Sequence, residues 1–212
     1  MTAMKSSTEQ TAGPPFIDGE AEPTWAIAEL FPHQGQWSEE EYLALPTNHL
    51  VEYSHGILDV VPMPSELHQD IVLFLAELLS AFVRRTKLGK VAIAPLPMRL
   101  WTGKYREPDI LFMLHDNKER RRKTYWIGAD LVMEVVSPDD PRRDLETKRR
   151  EYAQAGISEY WIVDPRVNRV TVLTLNDMRY SIHGEFGAGQ QADSVLLDGF
   201  TVDVDELFAA AE

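Results

Sequence analysis

LVMEVVSPDD, residues 131–140, places an ionisable glutamate inside an apolar run: Leu131, Val132 and Met133 precede Glu134, and Val135 and Val136 follow it. The run is rich in valine and ends before Pro138 and Pro141, which predicts a strand stopped by the prolines. Side chains alternate along a strand, so Val132, Glu134 and Val136 share one face while Leu131, Met133 and Val135 share the other. A carboxylate aimed where its neighbours are apolar must raise its pKa or find a partner. A divalent metal is one such partner, and an arginine in a buried salt bridge is the other.

Working outward, a second carboxylate stands upstream in EPDILFML: Asp109, behind Pro108 at the start of another apolar strand. If the two strands pair near their ends, Asp109 and Glu134 converge on one point. Such a pair suits a hard cation like Mg²⁺, which binds through one or two carboxylates plus water and phosphate oxygens. Standing alone, Asp109 reads equally as a strand-start residue after proline. Downstream, RRDLETKRREYAQAG, closed by Gly156, predicts a helix carrying Lys148 with Asp144 and Tyr152 four residues to either side on the same face. That face can look back at Glu134, or carry an Asp144–Lys148 surface pair.

The remaining elements predict a mixed sheet flanked by helices, an α/β (α+β) class with an N-terminal hairpin and C-terminal strands. Ser38 and Glu41 have capping-box spacing and open a short helix. LVEYSHGILDVV turns at Ser54-His55-Gly56 as a hairpin. After Ser65 comes the clearest helix, in which His68, Ile71, Val72, Leu75, Leu78, Leu79 and Phe82 form one apolar stripe. GKVAIAP, LPMRLW and EPDILFML read as successive strands, with Gly103 in the turn between the last two. EYWIVDP, RVTVLTL and MRYSIHGEF follow as strands, and DELFAAA closes the chain as a helix. Residues 1–24, rich in Ser, Thr, Gly, Pro and Glu, predict a mobile lead-in, and residues 25–212 a single domain.

Composition narrows the chemistry. The 212 residues include no cysteine, which excludes disulfides, thiolate metal sites and cysteine nucleophiles. No apolar run reaches the ~18 residues of a membrane span, and no basic-then-apolar leader opens the chain, so a cytoplasmic protein without membrane contact is expected. The net charge of −13 argues against a polyanionic partner, but its distribution reverses that impression. Residues 84–150 hold 17 basic against 10 acidic groups, a local +7 in an otherwise acidic chain. Arg120, Arg121, Arg122 and Lys123, in the KERRRK cluster at 118–123, and the pair Arg142-Arg143 are the candidate phosphate-facing cations. Asp109, Glu134 and Lys148 all fall within that basic segment.

Pro108-Asp109 with Glu134-Val135-Val136 resembles the PD-(D/E)XK nuclease signature, except that Val136 stands at its lysine position. VEYSHGILDVVPMPSELH, YREPDILFM, LVMEVVSPDD, RRDLETKRREYAQAGISEYWIVDP and SVLLDGFTVDVDELF together are similar to the Uma family of restriction-endonuclease-like proteins, from about residue 38 to the C-terminus. That resemblance implies a restriction-endonuclease-like core with Mg²⁺ or Mn²⁺ held by Asp109, Glu134 and the carbonyl of Val135. It also implies that the lysine has moved to the next helix, as Lys148, and that Glu52 and His68 match further motif positions. Each has a plainer reading: Glu52 pairing across its hairpin, His68 as a satisfied core histidine. Tyr160 and Trp161 read as core aromatics.

The expected function is a metal-dependent endonuclease that hydrolyses DNA phosphodiesters. Lys148 would position the water, Glu52 would assist the metal, and a homodimer would cut both strands. The alternatives are a catalytically silent nuclease fold that binds nucleic acid or a protein partner, and an interaction protein whose acidic flanks bind a basic partner.

Overall fold

The computed structural model describes residues 31–46 and 49–210. From Gln34 onward the chain clusters as one unit. The lead-in expected over residues 1–24, and the domain start at residue 25, lie outside the described residues.

Two sheets carry the fold. The expected hairpin is β1 (Val51–Ser54) and β2 (Ile57–Val60), joined through His55 and Gly56. Both turn residues have positive φ, 48° and 84°, and a Cβ on Gly56 would lie 2.6 Å from the Gly35 carbonyl oxygen. Glycine is required there on both counts. The predicted long helix, α2, spans Glu66–Thr86, after the short α1 (Glu39–Leu43); Ser65 caps α2 by accepting from the His68 N–H. Then come β3 (Gly89–Ile93), β4 (Met98–Trp101), β5 (Lys104–Arg106) and β6 (Ile110–Leu114).

Here the structure corrects the sequence reading. Gly103 does not lead into the EPDILFML strand; it turns β4 into β5, a three-residue strand of the smaller sheet. Its residues Lys104 and Arg106 are charged yet buried, so no apolar pattern marks them as strand.

A 3₁₀ turn over His115–Arg120 follows, then β7 (Trp126–Ile127) and β8 (Leu131–Val135). The smaller sheet has the order β2-β1-β5-β4-β7. The helix predicted over residues 142–156 is in two parts: a π-helical turn, Arg143–Lys148, runs into α3 (Arg149–Gln154). Wide turns of this kind recur at functional sites. The strands β9 (Glu159–Asp164), β10 (Arg169–Asn176) and β11 (Arg179–Phe186) complete a six-stranded sheet of order β11-β10-β9-β8-β6-β3. It is mixed, since β8 and β9 run parallel while its other pairs are antiparallel. Two short strands that the sequence reading missed, β12 (Gln191–Asp193) and β13 (Thr201–Asp203), precede α4 (Val204–Ala209).

The alternation predicted for residues 131–136 sets the layers. Leu131, Met133 and Val135 pack with Ile71, Leu75 and Leu79 of α2 on one face of the sheet. Val132 and Val136 pack with Tyr152, Tyr160 and Ile157 on the other. Each fully buried aliphatic side chain of this kind contributes roughly 1.5–3 kcal/mol. Tyr160 and Trp161 are both core residues, as read from the sequence. Glu159, fully buried, anchors the chain before β13: its carboxylate accepts from the Trp161 indole N–H, the Ser194 hydroxyl and the Val195 and Leu196 N–H groups. The architecture is therefore a mixed sheet between helical layers, with the second sheet and α1 to one side.

Candidate active site

Strand register brings the two key carboxylates together. β6 and β8 are antiparallel with Ile110 opposite Met133, so one further step sets Asp109 against Glu134. The Val135 N–H donates to Asp109 Oδ2 at 2.8 Å, which fastens the head of β6 to the tail of β8. His68, in the first turn of α2, places Nε2 3.2 Å from the same oxygen. Burial by itself would lower the His68 pKa, but the bond to Asp109 and the charges of Asp109, Glu134 and Asp144 raise it. His68 is thus tied to a site carboxylate rather than packed as a neutral core group.

The π-helical turn supplies the cation. Lys148 Nζ lies 2.9 Å from Glu134 Oε2 and 2.9 Å from Asp144 Oδ1, all three side chains being buried. The Tyr152 hydroxyl donates to Glu134 Oε1 at 2.5 Å. The Asp144–Lys148 pair is therefore no surface pair, and the face carrying Asp144, Lys148 and Tyr152 does look back at Glu134. Among the described residues Glu134 has no arginine partner; a lysine and a tyrosine hold it. An ammonium has three N–H donors, so two are committed and one remains for water or a phosphate oxygen. Burial pushes Glu134 up to about 8, opposed by Lys148 and reinforced by Asp109 and Asp144. Lys148 is held above its ordinary value: burial alone would lower it, but Glu134, Asp144, Glu52 and Asp109 outweigh that.

Glu52 does not pair across its hairpin, where it faces Asp59. Its carboxylate accepts from the guanidinium groups of Arg106 and Arg143. Arg106 also makes a two-bond contact to Glu151 at 2.7 and 2.9 Å, and Arg143 reaches Asp59 at 2.9 Å. This chain of charges clamps β1 and β5 to the segment that bears Lys148. Burial would raise Glu52, but Lys148, Arg106 and Arg143 together hold it below its ordinary 4.5. A depressed carboxylate contributes stability above that value and loses it as pH falls through the folded pKa. We expect Glu52→Gln to cost about 3 kcal/mol at pH 7 and progressively less below pH 4.5, giving a shallower acid limb in urea unfolding from pH 7 to 3.

Of these groups, Glu52, His68, Asp109, Glu134, Arg143, Asp144 and Lys148 line one cavity of about 190 Å³, together with Val135 and Glu107. Glu107 was not singled out in the sequence, although it directly precedes Pro108-Asp109. It accepts from the Val51 N–H at 3.1 Å, and burial, countered by that bond and aided by Glu52, pushes it up to about 7. Its cue was its neighbour Asp109, but a glutamate beside proline carries no burial signal of its own.

The expected phosphate-facing cations divide. Arg120 donates to Asp130 at 2.5 Å and Arg143 is spent on Glu52 and Asp59, so neither is free to meet a backbone phosphate. Charge counting could not see this, because Asp130 and Glu52 arrive from other parts of the fold. Arg122, Lys123 and Arg142 are exposed and Arg121 is half-buried; Arg121 and Arg122 donate only to backbone carbonyls.

The carboxylate oxygens fit a hard divalent cation. Glu134 and Asp109 repel each other at close quarters in a buried setting, which a cation relieves. Among the described residues no three His, Asp or Glu side chains form a ready cage, so water or substrate oxygens would complete the shell.

The family model described as "Putative restriction endonuclease" (Uma2) matches residues 39–205, which spans every group of this cavity. The chain belongs to the Uma2 family. A search of curated proteins finds no match. Among solved structures, the Uma2 chain is similar to one from Anabaena variabilis described as "a putative nuclease belonging to DUF820". The TM-score is 0.69 at 18% identity, over 83% of this chain and 99% of that one. At that identity the likeness is one of fold, and it supports the nuclease-like core. Among the described residues no helix is long and apolar enough to cross a membrane.

Proposed function

We propose that this Uma2 protein is a metal-dependent endonuclease that hydrolyses DNA phosphodiester bonds, acting in the cytoplasm as a homodimer. One observation carries the reading: Asp109, Glu134 and Lys148, from three separate elements, meet in a single cavity at one end of the sheet. Membership of the Uma2 family supports it. A dimer is favoured because one such cavity cuts one strand.

In this reading Asp109 and Glu134, with the Val135 carbonyl, would hold Mg²⁺ or Mn²⁺, which would supply a lowered water pKa and stabilisation of charge on the phosphate. The chain's own groups do the positioning. Lys148 offers its third N–H to the attacking water or to a phosphate oxygen, and Asp144 keeps its amine aimed. Tyr152 holds Glu134 in its rotamer, and His68 with the Val135 N–H holds Asp109. Glu52 acts through Arg106 and Arg143, fixing the clamp that carries Lys148. Arg121, Arg122, Lys123 and Arg142 supply countercharge for the backbone.

Calorimetric titration of Mn²⁺ into wild type and Glu134→Gln, with plasmid nicking on the same samples, tests the proposal. Binding and nicking should both be lost in the variant, and wild-type affinity should rise with pH toward 8, because the proton on Glu134 competes with the metal. A wild type that binds no Mn²⁺ would make Glu134 a structural ion-pair residue and favour the silent nuclease fold.

A further inference from the structure

A second concentration of positive charge lies well away from the catalytic cavity. The groove between the C-terminal end of α2 and the edge strand β3 is lined by Arg84, Lys87, Lys90 and His115 over a floor of Val83 and Val91, and holds about 430 Å³. All four basic groups are exposed, and none of them forms an ion pair with a described carboxylate. That is unusual in a chain of net charge −13, where carboxylates are in excess. The nearest acid along α2 is Glu77, in the adjoining depression beside Ala92 and Ile93.

The groove has a built frame. β3 closes on β6 so tightly that a Cβ on Gly89 would lie 2.1 Å from the Met113 carbonyl oxygen. The His115 N–H donates to the Leu88 carbonyl at 2.8 Å, which pins the start of the 3₁₀ turn beside Lys87. Lys87 itself ends α2 in the left-handed conformation, φ 57°, and its N–H caps the Val83 carbonyl. Arg84, Lys87 and Lys90 are thus displayed from fixed backbone, with the His115 imidazole beside them.

We infer that this groove is a second, non-catalytic contact for the phosphate backbone of duplex DNA, which holds the substrate beyond the cleavage point. The inference rests on the proposed nuclease function. Its geometry sets a length. Arg84 is sixteen residues along α2 from His68, which touches Asp109, so groove and cavity are separated by roughly 24 Å at 1.5 Å per residue. At about 3.4 Å per base pair, a duplex occupying both must extend on the order of seven base pairs past the cut site.

The test is fluorescence anisotropy at several salt concentrations on a 30-base-pair duplex and on a short duplex of about 5 base pairs closed as a hairpin, which is less than the span from cavity to groove, with plasmid nicking on the same samples. Wild type is compared with Arg84→Gln/Lys90→Gln, two exposed changes outside the catalytic cavity. Loss of two phosphate contacts should lower the salt slope on the long duplex by about 1.8 and weaken binding about tenfold at 0.1 M salt, leaving the short duplex unchanged. Equal binding of the long duplex by both proteins overturns the inference, leaves the nuclease reading intact, and gives the cations to another anionic partner such as an acidic protein. An equal loss on both duplexes overturns it too, since the effect is then general rather than local. If wild type neither binds nor nicks DNA, the nuclease reading fails and the groove contact with it.

Discussion

Lys148→Met should lower nicking by roughly a hundred- to a thousandfold and destabilise the protein by about 3 to 5 kcal/mol at pH 8. Among the described residues, Lys148 is the only ammonium paired with Glu134 and Asp144, at 2.9 Å to each, and all three groups are buried. Methionine fills the stem volume but leaves two carboxylates facing each other without a cation. They can escape only by taking up protons. The deficit should therefore shrink as pH is lowered toward 5, where protonation costs less. Urea unfolding of both proteins at pH 8 and pH 5 measures this. A deficit that does not change with pH would mean that the carboxylates are solvated rather than buried.

Asp109→Asn separates chemistry from fold. The asparagine carbonyl can still accept the Val135 N–H, now bonded at 2.8 Å, so the junction of β6 and β8 should survive. The charge that would hold a cation is gone, as is the partner that raises the His68 pKa. Nicking should fall on the order of a thousandfold, while the thermal midpoint stays within a few degrees of wild type. Retained nicking would remove Asp109 from the site. A large fall in midpoint would make its role mainly structural.

The residues changed in these two predictions differ in how legible they were in the chain. Glu134 could be read because it breaks an apolar strand pattern, where a carboxylate needs a reason, and Asp109 because it stands behind Pro108 at the head of another apolar strand. Lys148, Asp144 and Tyr152 could be placed on one face because four-residue steps share a face on any helix-like turn, although the turn proves π-helical. Glu107, β5 and the two short strands before α4 escaped, since Lys104, Arg106 and Glu107 read as surface residues until their partners are known.

Sequence alone determined the periodic elements, the alternation that splits residues 131–136 between two cores, and the family. These are local properties, set by one residue's relation to the next few. Tertiary structure decided everything that depends on partners distant in sequence. It gave Glu134 a lysine instead of an arginine, Glu52 two arginines instead of a hairpin neighbour, and Arg120 and Arg143 carboxylates instead of phosphates. It also left Arg84, Lys87 and Lys90 unpaired with any carboxylate among the described residues of an acidic protein. Charge is long-ranged and carries no periodicity, so its pairing is settled only when the sheets and helices have closed.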